Sequence, residues 1–140
     1  MTTLTASETI TRNDRHPWLS VGAVAAGLFF TFAVTTAVDL ALRRIGVFPD
    51  FAVRMSDALF ALALAYRIPF DIAGSYLAAR LAPRSPTRHA LALGGIGLLL
   101  AAVGAIAMWD HGPGWYSIAN IVIALPCAWA GAKCFARRVR

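Results

Sequence analysis

Arg67 and Asp71 are the residues of this 140-residue chain best placed to do chemistry, because they lie inside residues 57–80, a stretch that is otherwise largely apolar. Four positions apart, they share one face of a helix. Arg67 is ten residues from the start of that stretch, roughly 15 Å along a helix axis, close to the middle of a hydrocarbon layer about 30 Å thick. Ionisable groups at such depth mark ion paths, proton relays or polar substrates. Arginine keeps its proton, so Arg67 can orient or bind but not shuttle protons. Two readings stand. In one, Arg67 and Asp71 neutralise each other and bond to Thr31, Thr35 or Asn120, fixing the register between helices. In the other, the same five residues line a polar cavity used for transport or ligand binding.

Other reactive types are scattered. Asp39 is expected near the far end of the first apolar run, about 12 Å from Arg67 along the membrane normal by helix rise; interfacial solvation, with Arg43 as a neighbour, is expected rather than contact with Arg67. His16, His89 and His111 fall on separate segments without metal-ligand spacing. Cys127 and Cys134 are seven residues apart on one expected helix, roughly 10 Å along its axis, too far to bridge, and read as small packing residues. Glycine-rich phosphate loops, nucleophile elbows and paired carboxylates at helical spacing are absent from the sequence. No catalytic residue, metal or cofactor is therefore expected.

The elements that must hold Arg67 and Asp71 follow from composition. The chain is 59% hydrophobic and 14% charged, with mean hydropathy +0.64, outside the usual soluble balance. It is read as all-α, a four-helix transmembrane bundle over residues 17–140 behind a polar N-terminal tail, 1–16. Spans are expected at about 18–42, 57–80, 90–109 and 115–135. The rival for the first span is a cleaved signal peptide ending near Ala37, disfavoured because the apolar run exceeds a signal core of 7–15 residues. The second span is the weakest. Its Leu, Ile and Phe residues return about 4 kcal/mol on insertion while Arg67 and Asp71 cost about 6, so neighbouring helices must shelter it. Pro69 and Pro126 are candidate kinks.

The +6 net charge does not point to nucleic acid, since the basic residues lie at the ends of apolar runs rather than on a separate face. With the N-terminus inside, Arg12, Arg15, Arg80, Arg84, Arg88, Lys133, Arg137, Arg138 and Arg140 fall on the inner side, against Arg43, Arg44 and Arg54 outside, as the positive-inside rule requires. Both termini are thus expected in the cytoplasm. Lys133 is the sole lysine among 13 basic residues, the coding bias of a GC-rich bacterium. Trp18, Trp109, Trp115 and Tyr116 fall at span ends, where amphipathic rings favour the headgroup zone. The connection 42–56 is apolar for a solvated loop and is expected on the outer interface as a short helix or a folded-back turn.

Small and polar residues recur at steps of three and four: Gly27, Thr31, Thr35 and Asp39; Ala63, Arg67, Asp71, Gly74 and Ala78; Ala90, Gly94, Gly97, Ala101 and Gly104; Ser117, Asn120, Ala124, Cys127, Gly131 and Cys134. In lipid, close approach of small residues drives helix association, so these stripes are expected to be the seams of the bundle.

The run Ala65, Tyr66, Arg67, then Gly74 to Pro83 and His89, Ala90, Leu91, with the hairpin Trp109 to Tyr116 and Ala124 to Trp129, resembles small uncharacterised bacterial four-helix inner-membrane proteins. The resemblance covers about half the chain. It implies a multi-pass protein of the bacterial inner (cytoplasmic) membrane and carries no activity.

The leading expectation is a non-enzymatic integral membrane protein, a structural or accessory component that partners itself or a larger membrane protein within the lipid bilayer. The alternative is a small transporter or ion-conducting subunit with Arg67 and Asp71 lining the cavity. Small four-helix multidrug transporters are of similar size but depend on a carboxylate in the first helix, where this chain has only Asp39 near the far end. A membrane enzyme ranks third.

Overall fold

The computed structural model describes residues 17–50, 53–107 and 109–139, and these form four long helices. They are α1 (Pro17–Arg44), α2 (Asp57–Leu81), α3 (Pro86–Ala107) and α4 (Gly114–Val139). Each is long and apolar enough to cross a membrane. The tail 1–16, with Arg12, Arg15 and His16, lies outside the described residues, as do Phe51, Ala52, Met108 and Arg140.

The ends of the helices follow from local chemistry. At the end of α1, Gly46 takes φ +78°, a region in which a Cβ is costly. That turn lets the Gly46 amide donate to the Arg43 carbonyl (3.1 Å) and the Val47 amide to the Leu42 carbonyl (2.9 Å), the bonding of a Schellman cap. The expected folded-back turn is found here without a helix: Phe48 is buried, and the Arg43 guanidinium donates to the Pro49 carbonyl. α3 starts four residues earlier than the expected span, with Pro86 in the first helical position, where its missing N–H costs nothing. It stops at Ala107, and Trp109 belongs instead to a short 3-10 turn, Trp109–His111, that leads into α4. α4 runs on to Val139, placing Arg137 and Arg138 in its last turn, where cations complement the helix dipole. α2 and α4 continue as helices through Pro69 and Pro126.

α2 and α3 each pack against all three other helices, α2 most extensively on α4 and α1, whereas α1 packs chiefly on α2 and α3. The closest approaches occur where side chains are smallest. A Cβ on Gly27 would lie 2.6 Å from the Gly74 carbonyl oxygen, one on Gly94 would lie 2.4 Å from the Ala128 Cβ, and one on Gly131 would lie 2.6 Å from the Ile72 carbonyl oxygen. Ala79, Ala90 and Ala132 complete this core, with Phe135 packed against it. Large apolar side chains point outward instead: Phe29 is 73% and Ile106 79% exposed. A surface so apolar around a core of alanine and glycine suits lipid as the solvent, where van der Waals fit of small residues replaces the hydrophobic drive. The chain is a multi-pass helical bundle.

Two packing expectations need correction. Cys127 is buried but Cys134 is exposed, because the seam of α4 against α2 and α3 passes through Ala128, Gly131 and Ala132 and leaves Cys134 off it. The α3 stripe is a seam over half its length only. Ala90 and Gly94 are buried, whereas a Cβ on Gly97 or Gly104 would meet nothing within 4 Å.

Candidate functional site

The space that Gly97 and Gly104 leave is a cavity of about 500 Å³ between the four helices, within the range of about 300–1,000 Å³ typical of ligand sites. α1 contributes Leu28, Thr31, Phe32 and Thr35; α2 contributes Phe60, Arg67, Asp71 and Ser75; α3 contributes Leu93, Gly97, Leu100 and Gly104 among others; α4 contributes Tyr116, Ser117, Asn120 and Ala124. Arg67, Asp71, Thr31, Thr35 and Asn120, the five residues singled out by sequence, all reach this one cavity.

Their bonding differs from expectation. Arg67 does not pair with Asp71. It pairs with Asp39, at 3.5 Å between Arg67 Nη2 and Asp39 Oδ2. Asp39 also accepts a hydrogen bond from the Tyr66 hydroxyl. Helix rise alone does not set the separation of Asp39 and Arg67, because side-chain direction also counts. Cα–Cβ bonds tilt toward a helix's own N-terminus, and α1 and α2 run in opposite senses, Gly27 lying opposite Gly74 and Asp39 opposite Arg67. Arg67 therefore leans toward the Arg44 end of α1 while Asp39 leans deeper, and the length of the arginine stem closes the remaining gap.

The hydroxyls and the amide bond locally. Thr31 Oγ1 donates to the Gly27 carbonyl at 3.1 Å and lies 3.5 Å from the Phe70 carbonyl of α2. Thr35 Oγ1 sits 2.7 Å from the Thr31 carbonyl and 3.1 Å from that of Phe32. Asn120 Nδ2 donates to the Tyr116 carbonyl at 2.8 Å. Each satisfies a polar group on its own helix, the usual solution where water is scarce, and none bonds to Arg67 or Asp71. Asp71 is thus the acidic residue facing the cavity with no hydrogen-bond or ion-pair partner among the described residues.

Three further residues belong to this site that the sequence did not assign to it. Tyr66 anchors Asp39, and only its adjacency to Arg67 could have suggested that. Ser75, buried on the cavity wall, extends Arg67 and Asp71 by one more step of four, a signal that was present. Tyr116 was expected at the headgroup zone, yet it turns inward, its ring 4.9 Å from that of Phe60, and the two rings cap one end of the cavity.

Chemically, the site offers two carboxylates and one guanidinium, of which one carboxylate and the guanidinium are committed to each other. The remaining walls are aromatic or aliphatic, with hydroxyls at intervals. Such a wall can bind and orient a solute. No protein-family model, curated protein or solved structure matches the chain.

Proposed function

We propose that this chain is a small transporter or ion-conducting subunit of a bacterial inner membrane, both termini cytoplasmic, that admits a small charged solute to the cavity between its helices. Asp71 is the observation that carries this reading. An acidic residue near mid-membrane is costly, and the neighbour best able to neutralise it, Arg67, is turned toward Asp39. A residue kept at that cost with no hydrogen bond or close ion pair, sharing the Arg67 charge with Asp39, is accounted for by a solute that supplies a partner of its own. The distribution of Arg and Lys supports the orientation: Arg80, Arg84, Arg88, Lys133, Arg137 and Arg138 cluster at the end of the bundle that holds Pro17 and Val139, and the other end has Arg43, Arg44 and Arg54.

The structural or accessory role drew on the stripes of small residues as surfaces for a partner. At Gly27, Gly74, Gly94 and Gly131 those stripes face helices of the same chain, so they provide no argument for a second protein. The cavity is the better-supported starting point.

Uptake of labelled tetramethylammonium and of labelled chloride into proteoliposomes tests the reading. We expect tetramethylammonium to enter faster than into protein-free vesicles and chloride not to, and Asp71→Asn and Arg67→Gln each to cut the cation's rate about tenfold, the effect of losing about 1.4 kcal/mol. Entry of neither ion, or entry indifferent to both substitutions, would end it.

A further inference from the structure

We infer that the cavity opens to the lipid between α1 and α3, and that its occupant is a cationic amphiphile drawn from the bilayer, with its charged head at Asp71 and its tail leaving between Phe32 and Leu100. This rests on the transport reading above and specifies its solute. α1 and α3 are close at one level, where a Cβ on Gly27 would lie 2.6 Å from Leu93 Cδ1. Beyond it, toward the Arg44 end, they diverge: Gly97 and Gly104 line the cavity, yet neither would meet a neighbour if given a Cβ. Phe32 on α1 and Leu100 on α3 both line the cavity and are nevertheless 68% and 56% exposed. Residues that belong at once to a cavity wall and to the outer surface form its rim. On a bundle surrounded by lipid, that rim opens into hydrocarbon.

The charge of the occupant follows from what is already paired. Arg67 also lines the cavity, but its Nη2 is held by Asp39 at 3.5 Å. One guanidinium stands against two carboxylates, so one negative charge is left over, and Asp71 is the carboxylate that lines the cavity. A cationic head there gives each carboxylate one positive partner, which is what burial of charge requires, and the phenyl and leucyl rim takes an alkyl tail.

The test uses the full chain in nanodiscs of zwitterionic phosphatidylcholine, with labelled dodecyltrimethylammonium and labelled dodecanoate as probes far below their micelle thresholds and protein-free discs as the baseline. We expect the cation to bind at least about tenfold more tightly than the anion of equal chain length. Asp71→Asn should erase that preference and Asp71→Glu should keep it. Gly97→Phe, which fills the cavity without altering Asp71, should weaken cation binding by a similar factor, with helicity checked by circular dichroism for every variant. Equal binding of the two probes, or a preference that survives both Asp71→Asn and Gly97→Phe, overturns the inference. So does competition by tetramethylammonium as strong as by its dodecyl analogue, which would mean that no tail is bound. If the preference is missing while ion uptake still depends on Asp71, the amphiphile is wrong and the transport reading survives. If the preference holds while uptake ignores Asp71, the site stands and the transport reading falls.

Discussion

A methyl group on Gly131 would lie 2.6 Å from the Ile72 carbonyl oxygen, 2.7 Å from the Ser75 Cβ and 2.8 Å from the Tyr76 nitrogen. Two of these are backbone atoms, which cannot rotate aside, so α2 and α4 must part to accept it. Overfilling a packed core costs about 1–3 kcal/mol, and Gly131→Ala should lower stability by that amount. Gly95→Ala is the control, since a Cβ there meets nothing within 4 Å and alanine exceeds glycine in helix propensity by about 1 kcal/mol. Thermal melts of the two variants in one detergent, followed by circular dichroism, should separate them, with Gly95→Ala at or above the parent. Matching melts would mean that α2 and α4 are not in the close contact described. The same residue type also shows where reading by pattern ends. Gly94 and Gly97 belong to one stripe and look alike in sequence, yet the first is pressed against Ala128 and the second borders empty space, because what a glycine faces is set by the tilt of the neighbouring helix.

Among the elements, α2 carries the most tension between local chemistry and its place in the fold. Its apolar residues fall short of the cost of Arg67 and Asp71 by about 2 kcal/mol on an insertion scale, so as an isolated span it should enter the bilayer in only a minority of molecules. α1 brings Asp39 to Arg67, and an opposing charge lowers the cost of a buried one. In a glycosylation-based insertion assay, placing α1 ahead of α2 should raise insertion, and Asp39→Asn in α1 should remove most of that gain. An equal gain with Asp39→Asn would show that α1 helps through apolar packing and not through the ion pair. The four helices were legible because long, predominantly apolar stretches leave few alternatives; their boundaries moved at caps, as at Gly46 and Pro86, and also at Ala107 and Val139. The convergence of Arg67, Asp71, Thr31, Thr35 and Asn120 was legible from helical spacing on each span. The partner of Arg67 was not, since it depends on side-chain direction across two antiparallel helices. The cavity was not legible either, being a failure of helices to meet, for which no residue pattern in a single sequence codes.

At the scale of the whole molecule, the claim most exposed to test is orientation. Among the described residues, the end of the bundle with Pro17, Leu81, Pro86 and Val139 holds six basic side chains, and the end with Arg44, Asp57, Ala107 and Gly114 holds three. Such an excess near span ends retains a segment on the cytoplasmic face. Fusions of a fluorescent protein that matures only in the cytoplasm should therefore glow when joined after residue 84 or at the C-terminus. Fusions of alkaline phosphatase, active only outside, should work when joined in residues 45–56 or at the turn before Gly114. The pairing of sites matters more than any single reporter, because α2 is the span whose composition leaves its crossing open to question. If α2 failed to cross, the segment after residue 84 and the C-terminus would still share one face, but residues 45–56 would join them there and lose phosphatase activity. Such a result would take Asp71 out of the bilayer and, with it, the reason to assign the cavity a charged solute. Active phosphatase at residues 45–56 together with fluorescence after residue 84 is the outcome expected of a bundle in which Asp39, Arg67 and Tyr66 meet between two crossing helices.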